Sequence, residues 1–205
     1  MLSLHLTTLA LAFLTTSTTA LPAPAYPLIP RVAIEQWTIP TMELHMMNQY
    51  SGIPGGFWPE GSTFPSTIDF DLQMPGHSAV HCHTEFANGT LPDGLSACSG
   101  EGSRVRFSME PYTALGPRRK ELAFVLSVYK IDESPAGQQI LTGEVAITAN
   151  EPKEPSSYLT CLLGSPFDGL RCKLMGVMSN RKELLIEAHP LTSNSTGSVA
   201  LLTAS

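Results

Sequence analysis

Several short segments of the chain alternate apolar and polar residues with a period of two. The strongest runs over residues 121–131, where one parity carries Leu122, Phe124, Leu126 and Val128. Such alternation is typical of a β-strand with one buried face. Further strands are predicted at residues 34–44, 67–72, 79–83, 105–109, 140–148, 158–163 and 170–178. The pattern leaves open whether Pro40 breaks the first strand and whether residues 182–188 form a strand or a short helix.

Turn-forming residues separate these segments. The chain has 17 prolines and 16 glycines, and no long helical periodicity follows residue 20. Short strands spaced by turns indicate an all-β fold, and we predict a small antiparallel β-barrel or sandwich over residues 32–189. Within it, Trp37 is expected to anchor the core, and the basic run at residues 118–120 is expected to form a solvated turn.

Residues 48–65 form a long loop that is rich in glycine and proline. It also contains an unusual number of aromatic residues for a loop, namely Tyr50, Phe57, Trp58 and Phe64. The loop either folds down over one end of the barrel or forms the lip of a ligand site. We favour the first interpretation, because compact loops commonly cover cores.

Both ends of the chain differ in composition from the predicted barrel. Residues 1–20 combine an apolar run with small residues before a cut near Ala20, which predicts a cleaved signal peptide. Residues 21–31 are a proline-rich lead-in, and residues 190–205 are expected to be a flexible C-terminal tail. No window of the remaining chain is apolar enough for a membrane span. We therefore predict a secreted, extracellular protein.

The net charge is −6 and the pI is about 5.4. Nucleic acids and anionic membrane surfaces attract basic proteins, so neither is predicted as a partner.

Four cysteines in a secreted chain predict two disulfides, with three possible pairings. We favour Cys82–Cys98 and Cys161–Cys172, because each pair brackets a turn-rich interval between strands and can close as a local hairpin staple. Neither spacing resembles that of a zinc site or a redox motif.

Two tripeptides match the N-glycosylation signal, beginning at Asn88 and at Asn194. Asn88 falls between Cys82 and Cys98, so we expect it on the tip of that loop with its side chain facing solvent.

Three histidines share one parity, and an extended backbone would place His77, His81 and His83 on one face. This arrangement resembles a set of metal ligands. An exposed polar strand face is the simpler interpretation, so no metal or other cofactor is predicted.

Asp69 and Asp71 are expected to be neighbouring, mutually repulsive surface charges. A glycosidase pair would need carboxylates on separate elements across a cleft. Residues 76–80 lack the second glycine of a nucleophile elbow, and no phosphate-binding glycine loop is present. We therefore predict no catalytic residues and no enzymatic activity.

The order of features resembles the major-allergen family of Alternaria, small secreted β-barrel proteins of filamentous fungi that include plant-response elicitors. The resemblance covers about residues 32–178. It is carried by residues 37–39, residues 66–72, the Cys82–Cys98 spacing, residues 105–109, and the segment Cys161…Gly164…Phe167-Asp168-Gly169-Leu170-Arg171-Cys172.

The resemblance implies a fungal effector or allergen-like binding protein, with host plant proteins or small aromatic ligands as partners. One departure is that no cysteine precedes Cys82, whereas the type member of the family has an early cysteine that links two barrels. A disulfide-linked dimer is therefore not expected, and we predict a monomer. The alternatives are a carrier of small apolar ligands, with its barrel mouth rimmed by the aromatic loop, and, third, a secreted hydrolase.

Overall fold

The computed structural model describes residues 34–100, 104–134, 137–180 and 183–191. The predicted signal peptide, the proline-rich lead-in, Asn194 and residues 192–205 of the predicted tail lie outside these ranges. The described residues form ten strands and one 3₁₀ turn (Lys120–Leu122): β1 (Glu35–Met46), β2 (Ser66–Gln73), β3 (Val80–Phe86), β4 (Ser96–Ser99), β5 (Val105–Pro111), β6 (Ala123–Ser134), β7 (Gly137–Ala149), β8 (Ser157–Leu163), β9 (Leu170–Leu174) and β10 (Leu184–Pro190).

The strands close into a barrel. Strands β1 to β9 pair in chain order, and β9 returns to pair with β1. Strand β10 is additional: it bridges β1 and β7 at one end of the barrel, and the β8–β9 hairpin fills the gap between the same two strands at the other end. The all-β prediction is confirmed, with a barrel rather than a sandwich. The pairing of β7 with β8 is parallel, so the sheet is not purely antiparallel as predicted.

The apolar and polar positions that alternate in the sequence of a strand alternate in burial in the structure. In β2, Ser66, Ile68, Phe70 and Leu72 are buried, and the residues between them are half-buried. Pro40 does not end β1, because the strand shifts its register against β2 between Thr38 and Thr41. Such a bulge accommodates a residue that has no N–H to donate to a ladder.

Side chains fill the barrel interior. Trp37 is fully buried, as predicted, and its Nε1 donates to Glu35 Oε2 at 2.8 Å. Phe70 and Phe107 meet edge to face with ring centroids 5.0 Å apart. The largest fully buried side chains are Trp37, Phe70, Phe107, Phe124, Ile39, Met42, Leu44, Met46, Ile68, Leu72, Leu126 and Ile147.

Both predicted disulfides are confirmed. Cys82 lies directly opposite Cys98 on β3 and β4, and Cys161 lies directly opposite Cys172 on β8 and β9. All four cysteines are thereby used within the chain. Closing loops of this size stabilises a fold by about 3 kcal/mol each in the chain-entropy model.

Three strand assignments differ from the prediction or resolve it. The four-residue β4 was too short to show alternation, and its pairing with β3 and β5 defines it. Strand β9 ends at Leu174, because Met175 adopts a left-handed conformation with φ 61°. The ambiguous segment at 182–188 contains a strand, β10, which continues to Pro190. Among the described residues we find no helix with the length and hydrophobicity needed to span a bilayer.

Candidate functional site

The loop between β1 and β2 lies against the loop between β8 and β9. The backbone N–H of Phe167 donates to the carbonyl of Ser51 at 2.8 Å, which joins the two loops directly. Within the longer loop, Ser51 N–H donates to Gly56 O at 2.8 Å, closing a tight turn. Gly56 has φ +72°, and a Cβ there would lie 2.9 Å from the Tyr50 ring, so the turn requires glycine.

Aromatic side chains of the two loops pack together next to this hydrogen bond, and we call them the aromatic cluster. Trp58 contacts Phe64 edge to face at 5.5 Å between ring centroids and contacts Phe167 at 6.3 Å. Phe64 stacks on His45 of β1 at 4.5 Å. Trp58 Nε1 also donates to the carbonyl of Asn48 at 2.9 Å, which satisfies the indole. The cluster therefore anchors both loops to the barrel.

The four aromatic residues that were considered as a possible ligand lip divide into two pairs. Trp58 and Phe64 are half-buried in the aromatic cluster, and Tyr50 and Phe57 are exposed, by 54% and 84% respectively. Phe167, which was not among the possible lip residues, adds a third exposed ring at 40%. We call Tyr50, Phe57 and Phe167 the aromatic surface.

A polar clamp holds both ends of the long loop. The clamp consists of Ser66, Asn88, Arg119 and Glu121. Asn88 Oδ1 accepts from Met47 N–H and from Ser66 Oγ, each at 2.8 Å, and Asn88 Nδ2 donates to the carbonyl of Phe64. Arg119 Nη1 donates to the carbonyl of Met47 at 2.6 Å. The clamp thus fixes the points at which the loop leaves β1 and enters β2.

Glu121 is the charged centre of the clamp and is fully buried. Its Oε1 accepts from Arg119 Nη2 at 2.9 Å and from Gly89 N–H at 2.5 Å, and its Oε2 accepts from Arg119 Nε at 3.1 Å. Burial by itself would raise the pKa of the Glu121 carboxyl. Hydrogen bonds from Arg119 and from the N–H groups of Glu121 and Gly89, together with the charge of Arg119, nevertheless hold that pKa below its ordinary value.

The clamp corrects two expectations. The run at residues 118–120 is not simply a solvated turn, because Arg119 is three-quarters buried against Glu121. The side chain of Asn88 points into the protein rather than outward, because its amide bonds to segments distant in the chain. Occupancy of Asn88 by a glycan stays a prediction, as does that of Asn194.

A second set of polar side chains, Asp168, Arg171 and His45, adjoins the aromatic cluster at Phe64. Asp168 makes a bidentate pair with Arg171, with both distances 2.7 Å, and its Oδ1 lies 3.5 Å from His45 Nε2. Hydrogen bonds from Arg171, opposed by desolvation and aided by the charges of Arg171 and His45, lower the pKa of Asp168. The contact between Asp168 and His45 ties the β8–β9 loop to β1.

The outer face of β2 and β3 carries the histidines and aspartates considered above. His83 Nδ1 lies 2.9 Å from Asp69 Oδ1, and His81 Nδ1 lies 3.0 Å from Asp71 Oδ1. The aspartates therefore have histidine partners instead of simply repelling each other. Hydrogen bonds from His81 and then Thr41 lower the pKa of Asp71.

His77 is exposed and lies in the turn before β3, away from the ladder of paired side chains. Within the described ranges, no group of three or more His, Cys, Asp or Glu side chains has an arrangement that could hold a metal ion.

The chain matches no family model, no curated protein and no solved structure. The resemblance to the Alternaria allergen family therefore stays an expectation drawn from the residues that carry it.

Sequence reasoning identified the loop that carries the surface but missed Phe167, Arg119 and Glu121. Phe167 follows Pro166 in a short turn, where no periodicity distinguishes it. Glu121 begins the strongest alternating segment, where a charged residue is ordinarily a solvent-facing position. Its burial depends on Arg119 and Gly89, and neither contact has a local sequence signal.

Proposed function

We propose that this protein is a secreted, non-enzymatic binding protein that engages a partner protein through the aromatic surface. The exposed rings of Tyr50, Phe57 and Phe167, presented by two loops joined to each other and to the barrel, are the observation that carries the proposal. Exposed aromatic side chains on a pre-organised support are typical of the residues that contribute most to protein–protein binding.

Because side chains fill the barrel interior, a partner that binds to the outer surface is favoured over a ligand enclosed in the barrel. Trp37, Phe70, Phe107 and Phe124 occupy the space that an enclosed ligand would need. At the aromatic surface, a small aromatic ligand would stack on exposed rings and would bury little of its own surface. The carrier with a rimmed barrel mouth is therefore the weaker alternative.

The proposed setting is extracellular and host-facing. Two intramolecular disulfides are compatible with an oxidising compartment, and residues 1–20 have the pattern of a signal peptide. The resemblance over residues 32–178 supports a fungal effector or allergen-like protein whose partners are plant proteins.

Affinity capture from plant extract tests the proposal, with the mature chain and the double variant Tyr50→Ser/Phe57→Ser as bait. Both side chains are exposed, so the variant should keep the fold. Leu185→Ser, on the outside of β10, is the matched control for loss of an exposed apolar side chain.

We expect a captured protein to bind the wild type and the Leu185 variant and to be lost with the double variant. Its direct binding to purified mature chain should show the same order. Equal capture by all three baits would contradict the assignment of the aromatic surface.

A further inference from the structure

A groove on the outside of the β8–β9 hairpin is separate from the aromatic surface. It has a volume of about 490 Å³, and it is lined chiefly by Leu162, Leu163, Leu174 and Val177, with Arg171 and Lys173 on β9. A volume of this size lies within the range of small-molecule sites, about 300–1,000 Å³.

Leu174 packs against the core, but the other three apolar side chains that line the groove do not. Leu162, Leu163 and Val177 are exposed by 61%, 55% and 89%. Met175, beside the groove, is also exposed. Apolar side chains that stay in contact with water provide no hydrophobic stabilisation, so the stability of the barrel does not explain why several of them lie together here.

One wall of the groove is the segment after β9, and it is held in place by polar contacts. Met178 N–H donates to Thr160 Oγ1 at 2.9 Å, and Asn180 N–H donates to the carbonyl of Ser157 at 3.1 Å. Gly176 lies so close to β8 that a Cβ there would be 2.1 Å from Thr160 Cβ. The wall is therefore pre-formed, and a ligand would not have to order it.

Cationic groups lie along the same face of β9. Arg171 and Lys173 are two residues apart, so both point outward, and their side chains are 50% and 62% exposed. Arg171 is held in a bidentate pair by Asp168, whereas Lys173 makes one exposed contact with Glu43 at 2.7 Å. An exposed single-contact ion pair exchanges partners at little cost, so Lys173 is free to turn to another anion.

We propose that this groove binds a single amphiphile, an aliphatic chain that carries a carboxylate head. The chain would lie along Leu162, Leu163, Leu174 and Val177, and the head would accept hydrogen bonds from Lys173 Nζ. The small size of the groove and its single available cation favour one free molecule over an anionic bilayer, which attracts a cluster of basic residues. This inference does not depend on the partner protein proposed above.

Calorimetric titration of the purified mature chain with dodecanoate and with dodecanol tests the proposal. We expect saturable binding of one dodecanoate, with dodecanol binding more weakly. Leu162→Ser and Val177→Ser should each weaken dodecanoate binding by about tenfold, the loss expected for roughly two methylene groups of contact. Lys173→Gln should reduce the affinity for dodecanoate to that for dodecanol and leave dodecanol binding unchanged.

Two matched variants separate this groove from other surfaces. Leu185→Ser and Phe57→Ser each remove an exposed apolar side chain elsewhere, and both should bind dodecanoate as the wild type does. Circular dichroism checks that each variant is folded. Absence of binding, or binding that Leu162→Ser and Val177→Ser leave unchanged, would overturn the proposal. Co-sedimentation with phosphatidylcholine–phosphatidylglycerol vesicles without binding of dodecanoate would overturn it in favour of a membrane surface.

Discussion

Replacing Arg119 with alanine will leave the carboxylate of Glu121 buried without its counter-charge. The arginine donates to both carboxylate oxygens of Glu121 and, through Nη1, to the carbonyl of Met47. The substitution therefore removes the charge partner and also one tie to the long loop. The N–H of Gly89 would remain as a donor to the carboxylate, but it carries no charge.

The expected cost is large because removal of one partner from a buried ion pair typically destabilises a protein by about 3–5 kcal/mol. For a domain of this size such a loss lowers the melting temperature by roughly 6–20 °C. The neighbouring Arg118 is the matched control, since it pairs with Glu151 at the surface with both side chains about one-third exposed. Arg118→Ala should cost no more than about 1 kcal/mol.

Equilibrium unfolding in urea, followed by tryptophan fluorescence, measures both variants. Glu121→Gln provides the second arm of a double-mutant cycle, because the amide keeps the shape but removes the buried charge. Arg119→Ala should cost clearly less in the Glu121→Gln background than in the wild type. Equal costs for Arg118→Ala and Arg119→Ala, or additive costs in the cycle, would refute the assignment of a buried charge pair.

Three further outcomes are expected. The pKa of Glu121 is lowered in the folded state, so the stability that its ionised form contributes is complete above its ordinary pKa and is lost as the pH falls through the folded-state pKa. When the melting temperature is measured at decreasing pH, it should fall less for Glu121→Gln than for the wild type, and identical falls would contradict this. Asn88→Ala should cost about 1–3 kcal/mol because it leaves buried groups of the clamp unpaired, whereas Thr90→Ala removes the glycosylation signal at an exposed position. The mass difference between the wild type and the Thr90 variant measures glycan occupancy at Asn88, and equal stability losses for the two variants would count against a structural role for the Asn88 amide. Replacing Cys82 and Cys98 together with serine should lower stability by about 3 kcal/mol in thermal unfolding, and an unchanged melting temperature would show that this disulfide does not stabilise the fold.

The local parts of the fold were predictable from local patterns. Alternation placed the core of β2, β3, β5, β6 and β7, because a period of two is a property of the extended backbone itself. The disulfides were predictable because each joins strands close in the chain, with separations of 16 and 11 residues. The aromatic load of residues 48–65 was equally visible. These features depend only on neighbouring residues.

Closure of the barrel and assembly of the site depend on contacts between distant residues. Alternation leaves barrel and sandwich equally possible, and the return of β9 and β10 to β1 decides between them. The clamp likewise joins Met47, Asn88 and Glu121, which approach one another only when the barrel closes. The aromatic surface also needs Phe167, which lies more than a hundred residues from Phe57 in the chain. By itself the sequence determined the longer strands, the two disulfides and the aromatic loop, because short-range geometry governs them. Only tertiary structure decided that β4 forms, which aromatic rings stay exposed and that Glu121 is buried, since these depend on long-range packing.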